Sequence, residues 1–409
     1  MRCVARGSLM TSGESPVSLL LVCYSYPPVL GGSEIEAQRV CAGLIERGHR
    51  VTVLCTGGPP MPDRPRWTDP FGVPVRIFAR KRKGRLKDYA FAFSVAWTLF
   101  KERRNYRLVY FLMQGAHLAV GLPVARWLGK AIVMKISGSS IPTLMSRSWM
   151  GRLELKWLGK WARRVMILNE GIAEEAVAVG LPRDLLLWMP NPVDVDAFAP
   201  CDAAARRNLR AELNLPPGAE VVLYVGRLAP EKELPTLLGA FASVASRRPR
   251  AVLILVGDGP DRESLDLRVR QLGLSDRVRF TGRQPLAKVM EWLRVGDLFA
   301  LVSSYEGFPC ALSEAMSAGL PAVVTDIPGS SQLIDSRVHG LLVPVGDEAR
   351  TAKALEELLG DEGLRQSMGQ AARRRIVENY STGRVLKRYE TLFREALSSV
   401  PSAGRELAG

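Results

Sequence analysis

Residues 303–329 read SSYEGFPCALSEAMSAGLPAVVTDIPG. The apolar run LFALV at 298–302 leads into them, and Gly307, Phe308 and Pro309 hold off any helix until Cys310. A helix is expected from there to Ala318, stopped by Gly319, with a second buried strand after Pro321. Strand, loop and helix place Glu306 at the carboxyl end of a strand and Glu314 just over one turn inside the helix. Both carboxylates then face one cleft. The unpaired N–H groups at the helix start point the same way and favour an anion, typically a phosphate. A phosphate flanked by two carboxylates suggests a nucleotide sugar. Two glutamates at fixed spacing also arise as a helix cap and a solvated helix face, so the neighbours carry the weight.

Upstream, EVVLYV at 220–225 reads as a strand releasing Gly226-Arg227-Leu228-Ala229-Pro230-Glu231-Lys232. Arg227 sits on the loop leaving the strand and Lys232 near the next helix start, so both cations converge on one diphosphate. Arginine engages two oxygens at once and lysine supplies a mobile point charge, together replacing a magnesium ion. Cations at a helix start oppose its dipole, which counts against a merely solvated face.

Glu306 with Glu314 matches the E-x7-E signature, and Arg227 with Lys232 the R-x4-K, of the retaining glycosyltransferases of family four, which the chain resembles over residues 17–397. The resemblance implies an α/β chain of GT-B fold: two Rossmann-like, doubly wound parallel-sheet domains with the site in an interdomain cleft. Glu306 would hold the hydroxyls of the donor sugar and Glu314 the ribose. Arg227, Lys232 and the segment Gly307, Phe308, Pro309, Cys310 and Ala311 would hold the diphosphate, and Arg283 and Gln284 would lie by the base. Pro309 is a departure, since many relatives carry glycine there; it removes one N–H and stiffens the loop. The donor implied is a UDP- or GDP-sugar, with neither metal nor other cofactor. The family retains anomeric configuration, and no general base is named for it.

In the first half, the unit YPPVLGGSEIEAQRVCAGLIERGHRVTVLCTG passes from loop to helix to strand, with Gly48 ending the helix. Gly31 and Gly32 let backbone approach a ligand at a strand's carboxyl end, or form a plain turn. No GxGxxG occurs in this loop, which counts against a dinucleotide site. By resemblance the glycine pair faces the donor phosphate or the acceptor. Strands are expected at 108–112, 131–136, 164–168 and 185–189. Gln114-Gly115-Ala116-His117 opens a helix, and His117 is placed near the donor sugar by resemblance. Ser137-Gly138-Ser139 stands where many relatives have His-Gly. His49 and His339 read as structural. Asp194-Val195-Asp196, among Pro190, Pro192 and Pro200, reads as an interdomain hinge rather than a metal motif. The expected division is a tail at 1–15, an acceptor-side domain at 16–195, a donor domain at 200–372 and a closing helix at 373–398. The Gly257-Asp258-Gly259 turn reads as turn chemistry.

Composition sets the outer limits. At 409 residues the chain exceeds one ordinary core. A charged fraction of 24% and a mean hydropathy of +0.03 leave little room for a membrane-embedded protein, and no apolar run approaches the ~20 residues of a spanning helix. Residues 89–100, the longest such run, read as a core or interfacial helix. Net charge is +15, and residues 1–200 hold 28 Lys and Arg against 15 Asp and Glu, the remainder 28 against 26. The basic half points to an anionic partner, a membrane surface before nucleic acid, and two segments fit: RKRKGRLK at 80–87 and GRLELKWLGKWARR at 151–164. Nucleic acid is disfavoured because the basic residues lack interleaved aromatics. Six cysteines without C-x-x-C read as buried thiols in a reducing compartment. The expected placement is cytoplasmic, peripheral on the membrane, acting on a glycan or lipid-linked acceptor. The rival of the same fold is a nucleotide-sugar 2-epimerase, which needs no acceptor.

Overall fold

The computed structural model describes residues 15–28, 31–57, 62, 65–78, 85–112, 115–138 and 141–398. Gln114, Ser139, the basic residues 80–84 and both chain ends lie outside the described residues. The chain divides into two units, residues 1–192 with 382–409 and residues 193–381.

The first unit is built on an eight-stranded sheet: β1 (Ser18–Cys23), β2 (Arg50–Thr56), β3 (Arg66–Thr68), β4 (Pro74–Phe78), β5 (Leu108–Leu112), β6 (Ala131–Ile136), β7 (Arg164–Ile167) and β8 (Leu186–Trp188). Their order is β3-β4-β2-β1-β5-β6-β7-β8, and every pairing except β3 with β4 is parallel. Unbroken apolar runs such as LLLVC and LVYFL are what a parallel strand covered on both faces requires. The pair β3 and β4 was not expected. Both are short, they close the sheet edge, and Pro74 opens β4, where its missing N–H does least harm. The alternation of buried Val75 and Ile77 was the available signal.

Strand β6 carries one fully buried cation. Lys135 Nζ pairs with Glu36, donates to Asn191 Oδ1 at 2.9 Å and lies 3.2 Å from the Tyr389 hydroxyl. Tyr389 in turn donates to Glu36 at 2.9 Å. One strand, the helix Gly32–Glu46, the end of the first unit and the helix Thr382–Ser398 are thus joined by buried polar bonds. His49 is structural as expected: its Nδ1 accepts from Val17 N–H at 3.0 Å, leaving Nε2 to donate to Glu390 at 2.9 Å. Cys23, Cys41 and Cys55 are buried, and burial pushes the Cys55 thiol up to about 12.

The second unit is a six-stranded, all-parallel sheet of β9 (Glu220–Val225), β10 (Ala251–Val256), β11 (Val278–Gly282), β12 (Leu298–Leu301), β13 (Ala322–Thr325) and β14 (Gly340–Val343). The order β11-β10-β9-β12-β13-β14 reverses between β9 and β12, so the loops leaving those neighbours diverge and open a crevice at their carboxyl ends. Strand β14 opens at Gly340, which lies so near the Ala322 carbonyl that a Cβ would sit 2.3 Å from it. The single closing helix expected from Arg373 is two helices, Glu362–Asn379 and Thr382–Ser398, interrupted at Tyr380 and Ser381, where the chain passes from one unit to the other.

Candidate functional site

The topological switch of the second sheet is where the sequence places its charged residues. Strand β9 ends at Val225, and the loop after it turns through the short helix Pro230–Lys232. Strand β12 ends at Leu301 and runs through Ser303 and Glu306 to the helix Cys310–Ser317. Lys232 Nζ lies 2.7 Å from Glu306 Oε1, and the Ser303 hydroxyl donates to the same oxygen at 2.8 Å. Both members of the pair are largely shielded from solvent, so their attraction is screened less than a surface pair's. The two loops are also tied by backbone: Ser304 N–H donates to the Glu231 carbonyl at 3.0 Å.

Arg227 is placed differently. Its side chain is 67% exposed and its guanidinium reaches Glu231 at 2.6 Å rather than Glu306. Its backbone is fixed, because the buried Tyr224 hydroxyl donates to the Arg227 carbonyl at 2.8 Å. Burial, then the carboxylates of Glu306 and Glu231, push that phenol well above its usual range, so it stays a donor. Glu231 and Ser303 were missed as members of the site; Ser303 precedes Glu306 by three residues, and that proximity was the signal for it.

The glycines at 257 and 259 do more than turn the chain. A Cβ on Gly257, at φ +144°, would sit 1.8 Å from the Gly226 carbonyl, and one on Gly259 would sit 2.1 Å from the Leu228 carbonyl. Leu228 N–H meanwhile donates to the Asp258 carbonyl at 3.0 Å. The loop carrying Arg227 is therefore seated on the loop after β10. Gly329 plays the same part for Glu306: a Cβ there would lie 2.3 Å from the Glu306 carbonyl.

The helix Cys310–Ser317 buries Leu312, Ser313, Ala315, Met316 and Ser317 and leaves Cys310, Ala311 and Glu314 less covered, as residues four apart on one side should be. Its first intrahelical bond runs from Ser313 N–H to the Pro309 carbonyl, and the side chain of the N-cap residue, Pro309, makes no cap bond. The N–H groups of Ala311 and Leu312 precede that bond and favour an anion. Phe308 is buried, with its ring 6.1 Å from that of Tyr380, so it packs the loop down. Gly307 joins it to Glu306. Arg283 is exposed just beyond β11, and Gln284 Nε2 donates to the Thr281 carbonyl at 2.7 Å.

The remaining expected residues belong to the first unit, at the carboxyl ends of β1 and β5, where that sheet's order also reverses. Gly31 is the N-cap of the helix Gly32–Glu46, and at φ −169° its backbone is extended, so nothing in its conformation requires glycine. His117 opens the helix His117–Trp127 and is 1% exposed, its ring 5.4 Å from Phe91 and 6.4 Å from Phe111. As placed, it packs between two aromatic rings.

Residues 205–375 match the family model of glycosyl transferases group 1, and residues 31–192 that of the glycosyl transferase 4-like domain. The chain is 32% identical to the alpha-D-kanosaminyltransferase of Streptomyces kanamyceticus over 320 residues, 74% of this chain and 82% of that protein. It is 29% identical to the GDP-mannose-dependent alpha-mannosyltransferase of Mycobacterium tuberculosis over 383 residues, 88% of this chain and 92% of that one. Among solved structures, HepE of Anabaena in complex with UDP-glucose superposes with a TM-score of 0.75 at 22% identity, covering 93% of this chain and 99% of that one, a likeness of fold.

Proposed function

Because the chain belongs to the glycosyl transferases group 1 family and is a glycosyltransferase of GT-B fold, we propose that it moves a hexosyl group from a nucleotide-diphosphate sugar to a glycan or lipid-linked acceptor, with retention of configuration. The observation that carries this reading is the Lys232 to Glu306 pair at the switch between β9 and β12, beside the start of the helix Cys310–Ser317. The names of the relatives support a uridine or guanosine donor, since one is a complex with UDP-glucose and another depends on GDP-mannose.

In the proposed reaction the bond between the anomeric carbon and the diphosphate oxygen breaks while the acceptor oxygen bonds to that carbon on the same face. The acceptor proton passes to the departing phosphate oxygen, and a nucleoside diphosphate leaves. Charge develops on that diphosphate. Lys232, Arg227 and the N–H groups at the helix start stabilise it there, and Glu306 holds the sugar hydroxyls. Glu314 takes the ribose, and Arg283 and Gln284 border the base. These groups serve without a divalent ion, and chelator should leave transfer intact. The reaction belongs to cell-surface polysaccharide or glycoconjugate synthesis, at the cytoplasmic face of a membrane. No helix among the described residues is long and apolar enough to cross one. A screen of UDP- and GDP-sugars against lipid-linked and soluble glycans, read as nucleotide release, tests the reading. Release that depends on acceptor is expected; epimerised donor without an acceptor would overturn it.

A further inference from the structure

The helix Arg85–Lys101 is apolar on two opposite sides. Phe91, Ala92, Val95, Thr98 and Leu99 are buried within the first unit. Leu86, Tyr89, Phe93, Trp97 and Phe100 recur at spacings of three and four residues on the other side, and range from 44% exposed at Phe100 to 70% at Phe93. Trp127, at the end of the helix His117–Trp127, is 73% exposed and stacks on Phe100 with ring centroids 6.2 Å apart. A continuous aromatic strip of this kind marks an interaction surface.

Its surroundings are cationic. Lys101, Arg103, Arg104 and Arg126 are exposed at one end, with the Arg103 guanidinium 4.7 Å from the Phe100 ring centre. Lys130 is held by the Arg103 and Tyr106 carbonyls, and burial, then Arg107 and Arg103, lower its pKa. Lys87 stands at the other end, over the Tyr24 ring. The two nearby acids are turned elsewhere: Asp88 accepts from the Tyr24 hydroxyl, and Glu102 is buried against Arg76.

We infer that this face, the outer side of the helix Arg85–Lys101 with Trp127, docks the protein on an anionic lipid bilayer. The aromatic rings enter the headgroup boundary while the cations at both ends meet lipid phosphates. A second copy of the chain is the poorer occupant, because it would set like charges against like. The inference rests on the membrane placement proposed above and moves its centre away from residues 151–164. There Trp157 and Trp161 stack on each other 5.2 Å apart and Leu155 and Leu158 are buried, so little apolar surface is left to insert.

Sedimentation of the full-length protein with phosphatidylcholine vesicles, with and without phosphatidylglycerol, tests it. Binding is expected only with phosphatidylglycerol, and Phe93→Ser/Trp97→Ser should weaken it about tenfold or more, the scale of two lost apolar insertions. Trp149→Ser, which alters another exposed tryptophan, should change it by less than about threefold. Both variants should keep the melting temperature and the vesicle-free nucleotide release of the wild type. Absence of wild-type binding would overturn the inference together with the membrane placement. Full binding by the double variant, or loss on Trp149→Ser, would overturn this face alone. A wild-type dimer made monomeric by Phe93→Ser/Trp97→Ser, without vesicle binding, would assign the face to self-association. Failure of the donor reading would appear in nucleotide release and leave vesicle binding unchanged.

Discussion

Lys232 and Glu306 come from loops 74 residues apart and are bonded to each other at 2.7 Å. The cation proposed for the diphosphate and the carboxylate proposed for the sugar therefore hold one another in place before any donor arrives. Lys232→Ala and Glu306→Gln should each lower kcat by about 100-fold or more, the scale of losing a charge-stabilising group. Because the two act as a unit, the double variant should lose much less than the product of the single losses. Initial rates of nucleotide release from all four proteins measure this, and losses that multiply would show the residues acting independently.

Arg227 is exposed and, among the described residues, its ion pair is with Glu231, a link worth at most about 1 kcal/mol at such a surface. A donor diphosphate can therefore draw the guanidinium away at small cost. Arg227→Ala should lower kcat about 100-fold. Glu231→Gln keeps the backbone carbonyl that holds Ser304 and should change the donor KM by less than about fivefold. A large fall in kcat for Glu231→Gln would assign that carboxylate a direct role.

Gly329 is set by contact rather than by backbone angle. A methyl group there meets the Glu306 carbonyl at 2.3 Å, and a carbonyl cannot swing aside as a side chain would. Gly329→Ala should displace the Glu306 loop, lowering kcat by about tenfold or more while costing roughly 1–3 kcal/mol of stability. Ser331→Ala on the same short helix should be close to neutral. Thermal melts and initial rates separate the two effects.

The parallel strands could be read from their apolar runs, and Glu306, Arg227 and Lys232 from charge set against loop and helix boundaries. What escaped reading depends on distance along the chain. Lys135 looks like an interruption in an apolar strand until Glu36, Asn191 and Tyr389 surround it, and they lie 99, 56 and 254 residues away. The seats at Gly257 and Gly329 are contacts with another loop's backbone, which no local pattern announces. Periodicity failed differently in the helix Arg85–Lys101: with both sides apolar, it could not tell which one the fold covers.

Lys135 and Glu36 form a buried pair, and Glu36 Oε2 has no hydrogen-bond partner among the described residues. Removing only the cation strands the carboxylate, so Lys135→Met should cost about 3–5 kcal/mol in urea unfolding. Lys135→Met/Glu36→Leu should recover most of that, since an apolar pair of similar size carries no desolvation penalty. A double variant as unstable as the single one would show that Asn191 and Tyr389 need the charge itself.

Glu154 supplies a pH dependence whose sign can be worked out. It is buried on the helix Trp149–Trp161, and burial raises its carboxyl from an ordinary 4.5 to about 7 against the lowering effect of a hydrogen bond from the Ala119 backbone. Between those values the folded protein keeps a proton that the unfolded chain has released. The resulting stability is fully present below 4.5 and is lost as pH rises through about 7. Glu154→Gln keeps an oxygen to accept from Ala119 and removes the titration. Its melting temperature should exceed that of the wild type at pH 8 by roughly a few degrees and approach it at pH 5. Parallel melting curves for the two proteins across that range would show that this carboxyl titrates alike in the folded and unfolded chain.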